Sequence, residues 1–186
     1  MLASHALEAL PMSLPQLLGR EGEAFADTMI KGMQLDSRKV RPGDLFLALP
    51  GEQHDGRQFI EQAVANGAAA VVAEAPVAGF LETIAVPLIE LPELRFEAGL
   101  LAARFYGNPS HSMHVLGITG TNGKTTTSRI VAQLTRTLGK PCGVIGTLGA
   151  TLEDGVTMAS NTTPDALSLQ RQLAEWFDQD VLAVSM

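Results

Sequence analysis

The chain has 186 residues, 46% of them apolar and 18% charged, enough for one ordinary core or two small ones. Its formal net charge is −7, and residues 1–110 hold 8 Lys/Arg against 14 Asp/Glu. No basic stripe offers itself to nucleic acid, and an anionic ligand has to be held by local donors against an unfavourable overall field. Cys142 is the only cysteine, which excludes an internal disulfide. Without a secretory pattern or an apolar run long enough for a bilayer, the expected setting is the cytoplasm with no membrane partner; a monomer is expected, although no residue pattern fixes the oligomeric state.

In chain order, Ser13 to Leu18 predicts a short helix with Pro15 in its first turn. Gly32 to Leu35 begins a strand, Arg41-Pro42-Gly43-Asp44 is a turn, and Leu45 to Leu49 is a second strand. Pro50 to Gly56 is a loop. Arg57 to Ala65 is a helix with Phe59, Ile60, Ala63 and Val64 on one face and Gly67 beyond its end. Ala69 to Ala73 and Val86 to Leu91 are strands, and Glu93 to Tyr106 is a longer helix stopped by Gly107-Asn108-Pro109. Asn108-Pro109 is the expected boundary between a domain over 1–108 and a second over 109–186. Past it come a strand at 114–118, a helix at 124–138 and a strand at 143–147. A hairpin follows from Leu148 to Ala159, then a helix from Pro164 to about Asp178 and a strand from Val181 to Ser185. Strands alternating with helices predict an α/β fold, doubly wound, on a mainly parallel sheet with its ligand at the strand C-termini.

Residues 115–127, Val-Leu-Gly-Ile-Thr-Gly-Thr-Asn-Gly-Lys-Thr-Thr-Thr, carry the strongest chemical signal. A strand runs into a glycine loop, and Lys-Thr opens a helix. Glycines let the backbone approach phosphates, and amides at a helix start form an anion cradle. Gly120, Thr121, Asn122, Gly123, Lys124, Thr125 and Thr126 are the expected triphosphate contacts, with Lys124 catalytic and the Thr125 hydroxyl on Mg²⁺. The usual spacing would put glycine at 118, where this chain has Ile118. Thr163 is a plausible N-cap for the helix that follows, with Pro164 at its first position and Asp165 favouring its dipole. His111 and His114 lack a further cluster at metal-binding spacing. In Leu35-Asp36-Ser37-Arg38 polar side chains follow a strand and can face a uridine diphosphate, but the residues alone favour a strand-end turn in which Asp36 caps and Arg38 is solvated.

Four segments in order resemble the Mur ligase family. They are Leu35-Asp36-Ser37-Arg38 with Pro42 to Phe46, Gly51 with His54 to Ile60, Gly117 to Thr127, and Asn161-Thr162-Thr163-Pro164. The resemblance implies a small N-terminal UDP-substrate domain followed by the first part of a P-loop ATPase domain. It implies substrate contacts near Leu35 and Ser37, at Glu52, Gln53 and His54, and at Asn161, Thr162 and Thr163; His54 reads equally as merely exposed. The implied activity is ATP-dependent amide-bond synthesis through an acyl phosphate, in peptidoglycan biosynthesis. The implied substrates are a UDP-N-acetylmuramoyl dipeptide and an amino acid, diaminopimelate with lysine as the alternative. No acid follows the strand at 181–185, where such domains place a Mg²⁺ ligand. The sequence therefore reads as a fragment of a longer ligase that would not turn over alone. Rival readings are a folylpolyglutamate synthetase, disfavoured by the domain over 1–108, and a GTPase switch, disfavoured because no Lys-x-Asp occurs. A third is a UDP-sugar-binding module without chemistry.

Overall fold

The computed structural model describes residues 10–20, 25–51, 54–77, 84–147, 149–152, 155–157 and 164–186. These fall into two compact units, one over 10–105 and one over 106–186.

The first unit begins with β1 (Met12–Ser13), α1 (Leu14–Leu18) and β2 (Met29–Ile30); β1 and β2 pair antiparallel. Pro15 stands in the first turn of α1, and Gly19 ends the helix at φ 70°, a conformation glycine adopts without steric cost. Then come β3 (Gly32–Gln34), β4 (Asp44–Ala48), α2 (Ile60–Ala65), β5 (Ala70–Glu74), β6 (Leu88–Leu91) and α3 (Leu94–Phe105). The strands form one parallel sheet in the order β3-β4-β5-β6, with Phe46 opposite Val71 and Val72 opposite Ile89. Every residue of β4 is buried, as expected of a strand covered on both faces. Phe46, Ile60, Ala63 and Val71 make one core with Val40 and Ala73. The expected turn at 41–44 is closed by the buried Asp44, whose Oδ2 accepts from the Arg41 amide at 2.8 Å. The helix expected from Arg57 instead starts as a 3-10 turn, Gly56–Phe59, because Asp55 caps it by accepting from the Arg57 amide at 3.0 Å.

The second unit holds β7 (His114–Leu116), α4 (Lys124–Thr137), β8 (Cys142–Gly146), β9 (Gly149–Leu152), β10 (Gly155–Thr157), α5 (Ala166–Phe177) and β11 (Ala183–Ser185). Its sheet runs β10-β9-β8-β11-β7: β8, β11 and β7 are parallel, and β9 and β10 are the expected antiparallel hairpin. Its turn residues Glu153 and Asp154 lie outside the described residues. Ala132 of α4 packs on Cys142, Val144 and Ala183; Leu173 and Trp176 of α5 pack on Ile145 and Val184. Helices therefore cover opposite faces, the doubly wound arrangement. Burial raises the Cys142 thiol above its ordinary range, as for a small core residue and not a nucleophile. The helix expected from Pro164 begins later. Asp165 is its N-cap, taking the Ser168 amide at 2.8 Å on Oδ1 and the Ser168 hydroxyl at 2.6 Å on Oδ2. That leaves Pro164 outside the helix and gives Asp165 the capping role expected of Thr163. The strand expected over 114–118 ends at Leu116, although the Ile118 amide still donates to the Met186 carbonyl at 2.6 Å.

Candidate functional site

The glycine-rich loop over 117–123 joins β7 to α4 at the C-terminal edge of the second sheet. Gly120 has φ 145° and Gly123 has φ 81°, both in the region L side chains avoid. Gly123 is the N-cap of α4 and offers no side chain to the helix start. The amides of Lys124, Thr125 and Thr126 therefore remain open to an external acceptor, and the first backbone bond is Thr127 N–H to the Gly123 carbonyl at 2.8 Å. Fourteen residues of helix lie behind this end and place a positive partial charge there. Lys124 folds back so that its Nζ donates to the Gly120 carbonyl. Thr121, Asn122 and Thr126 are exposed.

A cavity of about 100 Å³ opens beside the loop, lined by Ile118, Lys124, Thr125, Ser128, Gly146, Thr147 and Met186 among others. The Thr125 and Thr147 hydroxyls lie 3.5 Å apart. Uncapped amides, a lysine and a glycine-lined approach fit a polyphosphate. For Mg²⁺ the fit is that of neutral hydroxyl ligands only. Among the described residues no group of three or more His, Cys, Asp or Glu is placed to hold a metal. Thr147 was not singled out by sequence; its signal is a hydroxyl just past the parallel strand that follows the loop's helix.

Of the other expected contacts, Leu35, Ser37 and His54 lie in the first unit, after β3 and β4. Leu35 is half-buried. Ser37 is buried, its hydroxyl donates to Gln62 Oε1 at 2.7 Å, and its carbonyl accepts from Asn66 Nδ2 at 2.9 Å. The hydroxyl proton is thus already used, and what this turn keeps for a ligand is backbone and acceptor capacity. Asp36 caps the turn and takes Arg38 Nε at 2.9 Å and Nη2 at 2.8 Å; the guanidinium holds the Asp36 carboxyl below the usual carboxylate range. His54 is exposed, with its ring edge-on to Phe59 at 6.3 Å. Glu52, Gln53, Asn161, Thr162 and Thr163 lie outside the described residues. Among the described residues no helix is long and apolar enough to cross a membrane.

These observations define a class: a two-unit α/β protein whose second, doubly wound unit carries a glycine-rich strand-to-helix loop with open amides and a lysine at the helix start. Comparison with known proteins narrows it. "Mur ligase family, catalytic domain" matches residues 29–106, and "Mur ligase middle domain" matches residues 118–186. The chain belongs to the Mur ligase family. It is 46% identical over 177 residues to the UDP-N-acetylmuramoyl-L-alanyl-D-glutamate–2,6-diaminopimelate ligase of Pseudomonas aeruginosa, covering 95% of this chain and 36% of that protein. The protein of the same name from Coxiella burnetii is 45% identical over 174 residues, covering 93% and 36%. A solved structure of a ligase of that name superposes with a TM-score of 0.80 at 32% identity, over 95% of this chain and 35% of that one. MurF from Acinetobacter baumannii gives a TM-score of 0.63 at 26% identity, over 96% and 36%. The chain thus spans about a third of the length of these relatives.

Proposed function

We propose that the protein to which these residues belong is an ATP-dependent ligase of peptidoglycan synthesis, working in the cytoplasm. It would join meso-diaminopimelate to UDP-N-acetylmuramoyl-L-alanyl-D-glutamate by activating a carboxylate as its acyl phosphate and letting the amine displace phosphate. One observation carries this reading. The loop with Gly120, Gly123, Lys124 and Thr125 presents open amides and a lysine to a cavity, in a chain 46% identical to a protein of that name. Residues 1–108 would bind the nucleotide sugar, and residues 109–186 would begin the ATP domain.

The chemical obstacle is that an anionic carboxylate must approach an anionic phosphate. The amides of residues 124–126 would hold the phosphate chain by charge-assisted hydrogen bonds. Lys124 would leave the Gly120 carbonyl and set its charge against the transferring phosphoryl group, where stabilisation counts most in the transition state. Thr125, with Thr147 beside it, would supply hydroxyl oxygens to Mg²⁺, which when bound neutralises phosphate charge. Asn161, Thr162 and Thr163, just ahead of α5, would contact the muramoyl peptide, and Leu35, Ser37 and residues 52–54 would contact the uridine nucleotide.

The test is phosphate release by the full-length protein with the UDP-muramoyl dipeptide, ATP, Mg²⁺ and either diaminopimelate or lysine. Release with diaminopimelate, falling at least about 100-fold in Lys124→Ala, is the expected result. Preference for lysine would overturn the amino-acid assignment, and a near-normal rate in Lys124→Ala would remove that residue from the mechanism.

A further inference from the structure

We propose that Gln62 is a positioning residue that holds the Ser37 hydroxyl as a pure hydrogen-bond acceptor and thereby selects uracil, through its N3–H, over cytosine. The proposal rests on the nucleotide role given above to Ser37 and names the chemistry by which that site discriminates.

Ser37 opens a 3-10 turn, Ser37–Lys39, a few residues after β3. Two carboxamides dock that turn on α2. Gln62 lies within the helix and Asn66 is its C-cap; at a spacing of four residues they share one face. Both reach Ser37, and they do so with opposite polarity. Gln62 Oε1 accepts the Ser37 hydroxyl proton at 2.7 Å, while Asn66 Nδ2 donates to the Ser37 carbonyl at 2.9 Å. The Val40 amide donates to the same carbonyl at 3.4 Å.

A carbonyl oxygen has two lone pairs, and at Ser37 both have partners. A serine hydroxyl has one proton and two lone pairs, and here the proton is taken. Of these two groups, only the Oγ lone pairs remain for a ligand. Ser37 is 6% exposed, so little water is at hand to repair a mismatch. An acceptor set against Oγ would be left unpaired in a shielded place, which is costly. The ligand must therefore donate. A ribose hydroxyl can turn to either polarity, so a fixed acceptor selects nothing there. The bases differ: uracil has N3–H, a donor only, whereas cytosine has a bare N3, an acceptor only. Without Gln62 the Ser37 hydroxyl rotates freely and serves either base. Asn66 has a separate part, since it holds the backbone of the turn and leaves the hydroxyl polarity alone.

Gln62 and Asn66 are exposed, so replacing them leaves the core intact. The experiment measures dissociation constants of the full-length protein for UDP and CDP, in wild type, Gln62→Leu, Gln62→Glu and Asn66→Ala. The readout is the ratio of the two constants, which a general loosening of the turn would not move. Wild type should favour UDP by at least about tenfold, and in Gln62→Leu that ratio should fall by about tenfold. Gln62→Glu, whose carboxylate can only accept, should weaken both nucleotides by its charge and keep the ratio. Asn66→Ala should weaken both alike and also keep it. Equal affinity for UDP and CDP in wild type would overturn the proposal, as would a wild-type ratio in Gln62→Leu. So would a ratio lost in Gln62→Glu, or one lost in Asn66→Ala as fully as in Gln62→Leu. Failure of the wild-type protein to bind UDP at all would overturn the nucleotide reading of Ser37 instead.

Discussion

Two Asp-x-Arg turns stand after neighbouring parallel strands, and they show how alike residues differ by burial. In Asp36-Ser37-Arg38 the arginine side chain is 79% exposed; in Asp55-Gly56-Arg57 it is 16% exposed. Surface pairs contribute little, whereas a shielded bidentate pair that also caps a turn contributes more. Asp55→Asn should therefore cost about 1–2 kcal/mol at neutral pH. The arginine holds the folded Asp55 carboxyl below its ordinary value, so the unfolded chain binds the proton more readily. Its contribution is complete above the unfolded pKa of about 3.9 and is lost as pH falls through the lower folded value. Denaturation from pH 7 down to pH 3 should show the gap between wild type and Asp55→Asn closing in that acid range. The caps at Asp36 and Asp55 lie two residues from their arginines, and the capping role of Asp36 is legible in sequence. The Arg95–Pro50 bond spans 45 residues and required the fold to be seen.

Elements were legible where the signal is local. The loop glycines, Lys124 and the start of α4 follow from short-range chemistry, and the strands at 44–48, 70–74 and 142–146 follow from apolar runs. The start of α5 was misplaced because Thr163, Pro164 and Asp165 all satisfy helix-start rules, and only the paired bonds to Ser168 choose Asp165. The tiny β1–β2 pair carries no periodicity to detect. Packing between elements is the least legible, and Gly143 illustrates it. In sequence it is one more glycine in a β8 run, yet a Cβ there would collide with the Trp176 ring of α5. Gly143→Val should thus destabilise the second unit by about 1–3 kcal/mol through overpacking. Urea denaturation followed by Trp176 fluorescence would report it, since this is the one tryptophan.

At the scale of the molecule, α4 buries Ser128 and Ala132 but leaves Ile130, Leu134 and its C-cap Leu138 at 50%, 60% and 78% exposure. Replacing Leu134 with Glu and Leu138 with Lys removes apolar surface and sets a favourable pair four residues apart. The double variant should be more soluble in ammonium sulfate titrations, with stability changed by less than about 0.5 kcal/mol. The strand order of the second sheet has a different kind of consequence, one of timing during synthesis. Among the described residues β7 pairs only with β11, and the Ile118 amide closes on the Met186 carbonyl. The chain in which residues 117–123 have already left the ribosome still lacks the strand that anchors them. The first sheet can be complete by residue 91, while the loop over 117–123 waits for residues 183–186 before it takes shape. The loop between β7 and α4 thus takes shape only once β11 has been made, later than its own place in the sequence suggests.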